Sequence, residues 1–335
     1  MNNAKSDIWD KIRQQFDNSP YPRIPLDKSP KNDRSYLYIH SLVTAYYQRN
    51  QKVIDTQDKI ILDAGCGSGY KSLALAEANP GVKIIGIDIS AESVKLAEQR
   101  LKYHGFDNAE FYVLSIYDLP DLKYKFDYIN CDETLYLMPD IIAALQAMKA
   151  VLKPEGIIRS NLHSSRQRFP FFRAQKLFSL MGLMDETPGD LEISLVVETM
   201  KALKNNVNLK MTTWTAEDEK DDAQEAILVN YLLQGDKGFT IEDMFSALNA
   251  AELEFIKMRN WRRWDLMSLF KEPDNLPAFL GMSLPEISTE EHLKFFELLH
   301  PIHRLLDFWC GHPQAGHEFV PLAEWTDIEW ENATV

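Results

Sequence analysis

Apolar positions along the middle of the chain follow two alternating rhythms. Ile60-Ile61-Leu62, Val82 to Ile89, Ala109 to Leu114, Phe126 to Cys131 and Ile157 to His163 are near-continuous apolar or β-branched runs. Such runs predict strands buried on both faces. Between them, apolar residues recur at helical spacing after Lys71, over 91–104 and over 139–152. Ser90 is placed to cap the second of these helices, with Glu92 in its first turn. Lys153-Pro154-Glu155-Gly156 reads as a turn into the fifth strand. Strands alternating with helices close by right-handed crossovers, which makes the strands parallel neighbours.

Outside 58–160 the rhythm changes. Residues 6–17 predict an amphipathic helix with Ile8, Trp9, Ile12 and Phe16 on one stripe. Pro20, Pro22 and Pro25 then impose an extended strap carrying Tyr21 and Arg23. This strap is either a wrap over the domain or a lid facing a ligand. One helix is predicted over 34–50. Residues 164–250 break the strand–helix alternation and predict several helices, one of them over 223–234. Thr240 caps another to about Ala251, followed by a strand at 253–258. A Trp-, Phe- and Leu-rich helical stretch is expected over 261–300, and a last strand over 304–310. A tail follows that could fold back through Phe319, Val320, Leu322 and Trp325.

The 335 residues are long for one compact domain and predict a core with appendages. A net charge of −14 argues against nucleic acid as the main partner, because an anionic surface repels phosphates. It suits a basic substrate or simple solubility. Arg166, Arg168, Arg173 and Lys176, interleaved with phenylalanines, read as helix packing. Three cysteines without a Cys-x-x-Cys pair give no disulfide framework. No apolar window reaches a membrane span, and the polar start lacks a signal-peptide core. A reduced, cytoplasmic setting and no membrane partner are expected.

The candidate chemistry centres on Asp63-Ala64-Gly65-Cys66-Gly67-Ser68-Gly69, a glycine-rich turn between the first strand and a helix. Glycine there allows positive φ and a close approach of backbone N–H groups to a ligand. The second strand ends in Asp88, a carboxylate able to accept both hydroxyls of a ribose. With the turn and this acid together, the stretch resembles motif I and the following strand of class I S-adenosylmethionine-dependent methyltransferases. The resemblance implies a Rossmann-like, doubly wound α/β fold. Its mostly parallel seven-stranded sheet would carry a helical N-terminal cap and a helical insertion, with 253–258 and 304–310 as the last two strands, one of them antiparallel. It implies S-adenosylmethionine as cofactor, contacted by Asp63, Gly65, Gly67, Gly69, Asp88, Ile89, Ile116, Cys131 and Asp132. Ser115 stands where the family commonly has an Asp that accepts from the adenine. Tyr21 and Arg23 of the strap are added as cofactor candidates.

Ser19-Pro20-Tyr21-Pro22-Arg23, the stretch 156–164 and Leu306-Asp307-Phe308-Trp309 also resemble the methyltransferase domain fused to tetratricopeptide repeats in bacteria. A fainter resemblance is to cyanobacterial protein lysine methyltransferases. Both point to protein substrates. The resemblance implies that the stretch after the fourth strand lies beside the methyl group, where a substrate nitrogen would arrive. Glu133, Tyr136 and His163 are the catalytic candidates there, although His163 reads equally as a satisfied structural histidine. The Asn-Pro-Pro-Tyr signature of nucleic-acid amine methylation is absent after that strand, and no histidine–carboxylate cluster has metal spacing.

The expected division is a cap and strap over 1–50, a core over 51–163 and 251–312, an insertion on the substrate side over 164–250, and a tail over 313–335. The expected activity is methyl transfer to a protein lysine. The alternatives are a small-molecule N- or O-methyltransferase and a non-catalytic cofactor-binding domain. Oligomeric state is not readable from the sequence.

Overall fold

The computed structural model describes residues 2–220, 223–315 and 322–332. Its centre is one seven-stranded sheet: β1 (Ile60–Ala64), β2 (Lys83–Asp88), β3 (Ala109–Val113), β4 (Phe126–Cys131), β5 (Leu152–His163), β6 (Glu254–Met258) and β7 (Leu305–Gly311). The order is β3-β2-β1-β4-β5-β7-β6. All neighbours are parallel except β7, which runs antiparallel to both β5 and β6. This is the Rossmann-like sheet that the resemblance implies. The chain order reverses between β1 and β4, which opens the crevice where α/β sheets bind ligands.

Helices cover both faces. α1 (Asn2–Asn18), α2 (Arg34–His40), α3 (Leu42–Asn50), α4 (Tyr70–Ala78), α5 (Ala91–Tyr103) and α6 (Ile141–Val151) come with the first five strands. One face packs Leu42, Tyr46, Leu73, Leu75 and Trp309. The other is larger and includes Leu145, Met148, Met244 and Phe296. Ser90 and Asp140 cap α5 and α6 with their side-chain oxygens.

Between β5 and β6 lie α7 (Phe169–Leu180), α8 (Asp190–Ala202), α9 (Asn208–Thr213), α10 (Gln224–Tyr231) and α11 (Ile241–Ala250). Phe178, Val196, Met200, Trp214 and Tyr231 give this region an apolar cluster of its own. After β6 come α12 (Ala278–Ser283), α13 (Thr289–Leu299) and, past β7, α14 (Asp327–Asn332). No helix among the described residues is long and apolar enough to cross a membrane.

Several element expectations need correction. The helix expected over 34–50 is broken at Ser41, whose extended backbone ends α2 and starts α3. The turn expected at 153–156 is an irregular start of β5, with a register shift against β4 between Phe126 and Tyr128. The helical stretch expected over 261–300 is two short 3-10 turns, α12, a third 3-10 turn and α13. In the tail, Trp325 is buried and stacks edge-on against Tyr47. Phe319 and Val320, and the side chain of Leu322, lie outside the described residues.

Candidate active site

The turn after β1 is shaped by what packs on it. Gly65 has φ +82°, and a Cβ there would run into the Thr134 side chain. Gly67 has φ +51°, and a Cβ there would strike the Tyr21 carbonyl of the strap. Glycine at both is therefore a matter of strain and of space. The strap is bound to the turn directly. Ser68 donates its N–H to Tyr21 O at 2.8 Å and its hydroxyl to Pro22 O at 2.7 Å. Further along, Arg100 donates to the carbonyls of Ile24 and Pro25. Residues 24–26 are thus a wrap over the domain, while Tyr21 and Pro22 face a pocket.

That pocket sits at the carboxyl ends of β1, β2, β4 and β5. Gly65, Cys66 and Gly67 line it, with Asp88 and Ile89 after β2, Ile116 after β3, Asp132, Glu133 and Tyr136 after β4, and His163 at the end of β5. Asp88 accepts from the N–H groups of Gly67 at 3.0 Å and Ser90 at 2.9 Å. Burial outweighs these bonds and pushes its carboxyl up to about 6.

Other candidates do not reach the pocket lining. Asp63 is buried behind the turn and accepts from Ser72 Oγ at 2.6 Å and Asn130 at 2.9 Å. Gly69 (φ +81°) exists for packing, since a Cβ would meet Ala97 of α5. Cys131 is fully buried, its thiol pushed up to about 12 by desolvation. Ser115 caps the 3-10 turn after β3 by accepting from Tyr117 N–H. Arg23 turns back onto Ser19, and its backbone N–H bonds Glu225. Arg23 and Ser115 therefore do not line the pocket.

Sequence reasoning missed several residues of the site. Lys71 lines the pocket, with its ammonium 3.3 Å from Asp132 and 2.9 Å from the Asp132 carbonyl. As the second residue of the helix after the glycine turn, it was findable. Arg304 precedes β7 and forks onto Glu133 through both terminal nitrogens. Asp236, from the loop before α11, accepts from His163 Nδ1 at 2.6 Å, Gln175 at 2.9 Å and Arg168 at 3.2 Å. Trp9, Ile12 and Phe16 of α1, with Val229 and Leu233, form the pocket's apolar roof. Gln15 ties that roof together, bonding Leu232 O and Gln234 N from a buried position.

The inner end of the pocket is electrostatically closed. Tyr136 donates to Glu133 at 2.9 Å and stacks on His163 at 3.7 Å between centroids. Glu133 is desolvated, yet His163 and Arg304 hold its carboxyl well below the usual range. Tyr136 is held well above its usual range by burial and by Glu133. His163 Nδ1 faces Asp236 at 2.6 Å, and its Nε2 lies 3.1 Å from Arg304 Nη1 and 3.7 Å from Glu133. Asp132 is kept ionised by Arg159 and Lys71, which overcome its burial. Arg159 is itself fully buried and forks onto Asp307 at 3.1 and 2.9 Å. Among the described residues no group of three or more His, Cys, Asp or Glu could hold a metal.

The cavity left between these walls is about 100 Å³. Ligand pockets run from about 300 Å³ upward. A nucleoside-sized ligand needs more room than these walls leave.

Residues 55–226 match the family described as a methyltransferase domain. An uncharacterized protein of Synechococcus is 26% identical over 318 residues, 93% of this chain and 72% of that one. The ubiquinone biosynthesis O-methyltransferase of Haemophilus ducreyi is 34% identical over 108 residues, 30% of this chain and 43% of that one. Among solved structures, PKMT2 from Rickettsia typhi superposes with a TM-score of 0.64 at 18% identity. That match covers 89% of this chain and 55% of that one, and PKMT2 has also been solved in complex with AdoHcy. The chain thus spans about half the length of PKMT2 and less than half of the Haemophilus enzyme.

Proposed function

Because the chain belongs to the methyltransferase-domain family, we propose that it moves a methyl group from S-adenosylmethionine onto a basic nitrogen of a protein, specifically a lysine side chain. The residues present fit the cofactor. Gly65 and Gly67 leave a backbone cradle free of Cβ atoms. Asp88 offers a half-buried carboxylate for the ribose, and Ile89, Leu114 and Ile116 offer an apolar wall for the adenine. The cofactor supplies a methyl group on a sulfonium, which is already activated for in-line displacement. What remains for the chain is to orient the nucleophile and exclude water.

The observation that carries the lysine reading is the Glu133 carboxylate. It is ionised, faces the same pocket as the glycine turn, and already holds a cation, the Arg304 guanidinium. Arg304 is 45% exposed and marks where a basic group can approach. Tyr21 and Tyr136 add two aromatic rings to that end. In this reading Glu133 and Tyr136 position the amine, and Asp236 and His163 hold Arg304 and Glu133 in place. No side chain there is poised as a base. Glu133 is too acidic, Tyr136 too weak an acid, and His163 Nε2 is taken by Arg304. The amine would therefore lose its proton to water before reaching the methyl group, and Glu133 and Tyr136 would hold it in line.

A small-molecule acceptor is the second reading, favoured by the apolar roof of Trp9, Ile12, Phe16 and Leu233. Incubation with methyl-labelled cofactor and a native lysate, followed by size separation, distinguishes the two. Label in protein, retained through hydrolysis to methylated lysine, is expected. Label confined to the low-molecular-weight fraction overturns the lysine reading.

A further inference from the structure

Away from the cofactor pocket, a groove between α3 and the end of β6 gathers cations. Arg49, Lys257, Arg259, Arg262 and Arg263 all line it. No carboxylate does among the described residues, although the chain carries 50 acidic against 36 basic side chains. Arg259 is paired with Asp307 at 2.9 Å, but Arg49, Lys257, Arg262 and Arg263 have no ion-pair partner among the described residues, so the groove is left positive and suits an anion.

Two further observations point the same way. Arg49 donates through Nη2 to Glu155 O and Arg259 through Nη1 to Asp307, but Nε and Nη1 of Arg49 and Nε of Arg259 are buried donors with no acceptor among the described residues. Buried donors are nearly always paired, and an unpaired one costs about 1–3 kcal/mol. The groove also presents rings. Trp261 is 41% exposed and Tyr38 42% exposed. The Lys257 ammonium lies 4.5 Å and the Arg262 guanidinium 5.4 Å from the centre of the Trp261 ring. Burial lowers the Lys257 ammonium with no carboxylate to offset it.

We propose that this groove binds a small anion that joins a phosphate or polyphosphate to a planar ring, a nucleoside phosphate being the simplest member of the class. The guanidinium donors would take the phosphate oxygens in charge-assisted hydrogen bonds. Trp261 would stack on the ring. This site is separate from the pocket at the glycine turn and does not depend on the methyl acceptor.

Titration calorimetry on the whole chain tests it. Saturating S-adenosylhomocysteine is present throughout, to keep adenine-bearing probes out of the other pocket. The probes are ADP, pyrophosphate, adenosine and polyglutamate, without divalent metal. ADP is expected to bind saturably with one site, at least tenfold tighter than pyrophosphate or adenosine. Replacing both Arg262 and Arg263 by Ala is expected to weaken ADP and pyrophosphate at least tenfold. Trp261→Ala is expected to weaken ADP while leaving pyrophosphate unchanged. All three residues are exposed, so thermal unfolding should match the parent chain. No saturable ADP binding overturns the proposal, as does ADP binding that survives these substitutions. Binding of polyglutamate but not ADP also overturns it and assigns the groove to an acidic polypeptide.

Discussion

At the scale of single residues, burial and partners decide the chemistry more than residue type does. Asp88 and Glu133 are both carboxylates at strand ends, yet burial raises one while Arg304 and His163 lower the other. The ionised form of Asp88 is the acceptor that a ribose needs. As pH falls through about 6 it gains a proton, so cofactor affinity should be flat above pH 7 and fall up to tenfold per pH unit below 6. Calorimetry should show this slope in the parent chain and its loss in Asp88→Asn. Stability runs the other way. A carboxyl raised in the folded state binds more protons than the unfolded chain, so its contribution improves from pH 6 toward 4. The lysine reading makes a second statement about pH. With no base at the site, kcat/KM should climb about tenfold per pH unit toward an amine pKa near ~10. A plateau at neutral pH would instead assign proton removal to a side chain of the site. Asp88 and Glu133 were legible because each ends a recognisable strand. Asp236 and Arg304 were not, since they reach His163 across 73 and 141 residues of sequence.

At the scale of elements, strand and helix positions followed from apolar periodicity, and the failures have local causes. Ser41 turns extended between α2 and α3, where nothing in the 3.6-residue pattern marks a break. The Lys153-Pro154-Glu155-Gly156 stretch looked like a turn because of Pro and Gly, but it lies at an irregular strand start where both are tolerated. The least legible element feature is Arg159 in the middle of β5. It is buried because Asp307 of β7 and Asp132 after β4 converge on it from its two neighbouring strands. Arg159→Met would leave Asp132 to Lys71 alone and Asp307 to Arg259 alone, and should cost up to about 3–5 kcal/mol. Urea unfolding at pH 7 reads this directly. A loss below about 1 kcal/mol would mean that solvent already reaches these acids.

At the scale of the whole molecule, the net charge of −14 acts at a distance. A basic protein substrate should feel it as an encounter-rate term, so KM should rise several-fold between low and physiological salt while turnover stays constant. A salt-insensitive KM would favour the small acceptor. The parallel set of the first five strands and the place of the pocket were readable from the succession of strands and the glycine turn. The roof was not. It joins α1 to residues near 232–234 through Gln15, and no local pattern announces a pairing across more than two hundred residues.

That buried glutamine has a kinetic consequence. A cover latched between the first helix and residues 232–234 would have to unlatch to let the spent nucleoside out. Escape, rather than bond making, is then expected to set the steady pace. Rapid-quench measurements should show a fast first round of about one methyl per protein molecule, followed by a slower linear phase. A heavy-atom isotope effect on the methyl carbon should be visible in the first round and suppressed in the second. Gln15→Ala should quicken the linear phase and leave the first round alone.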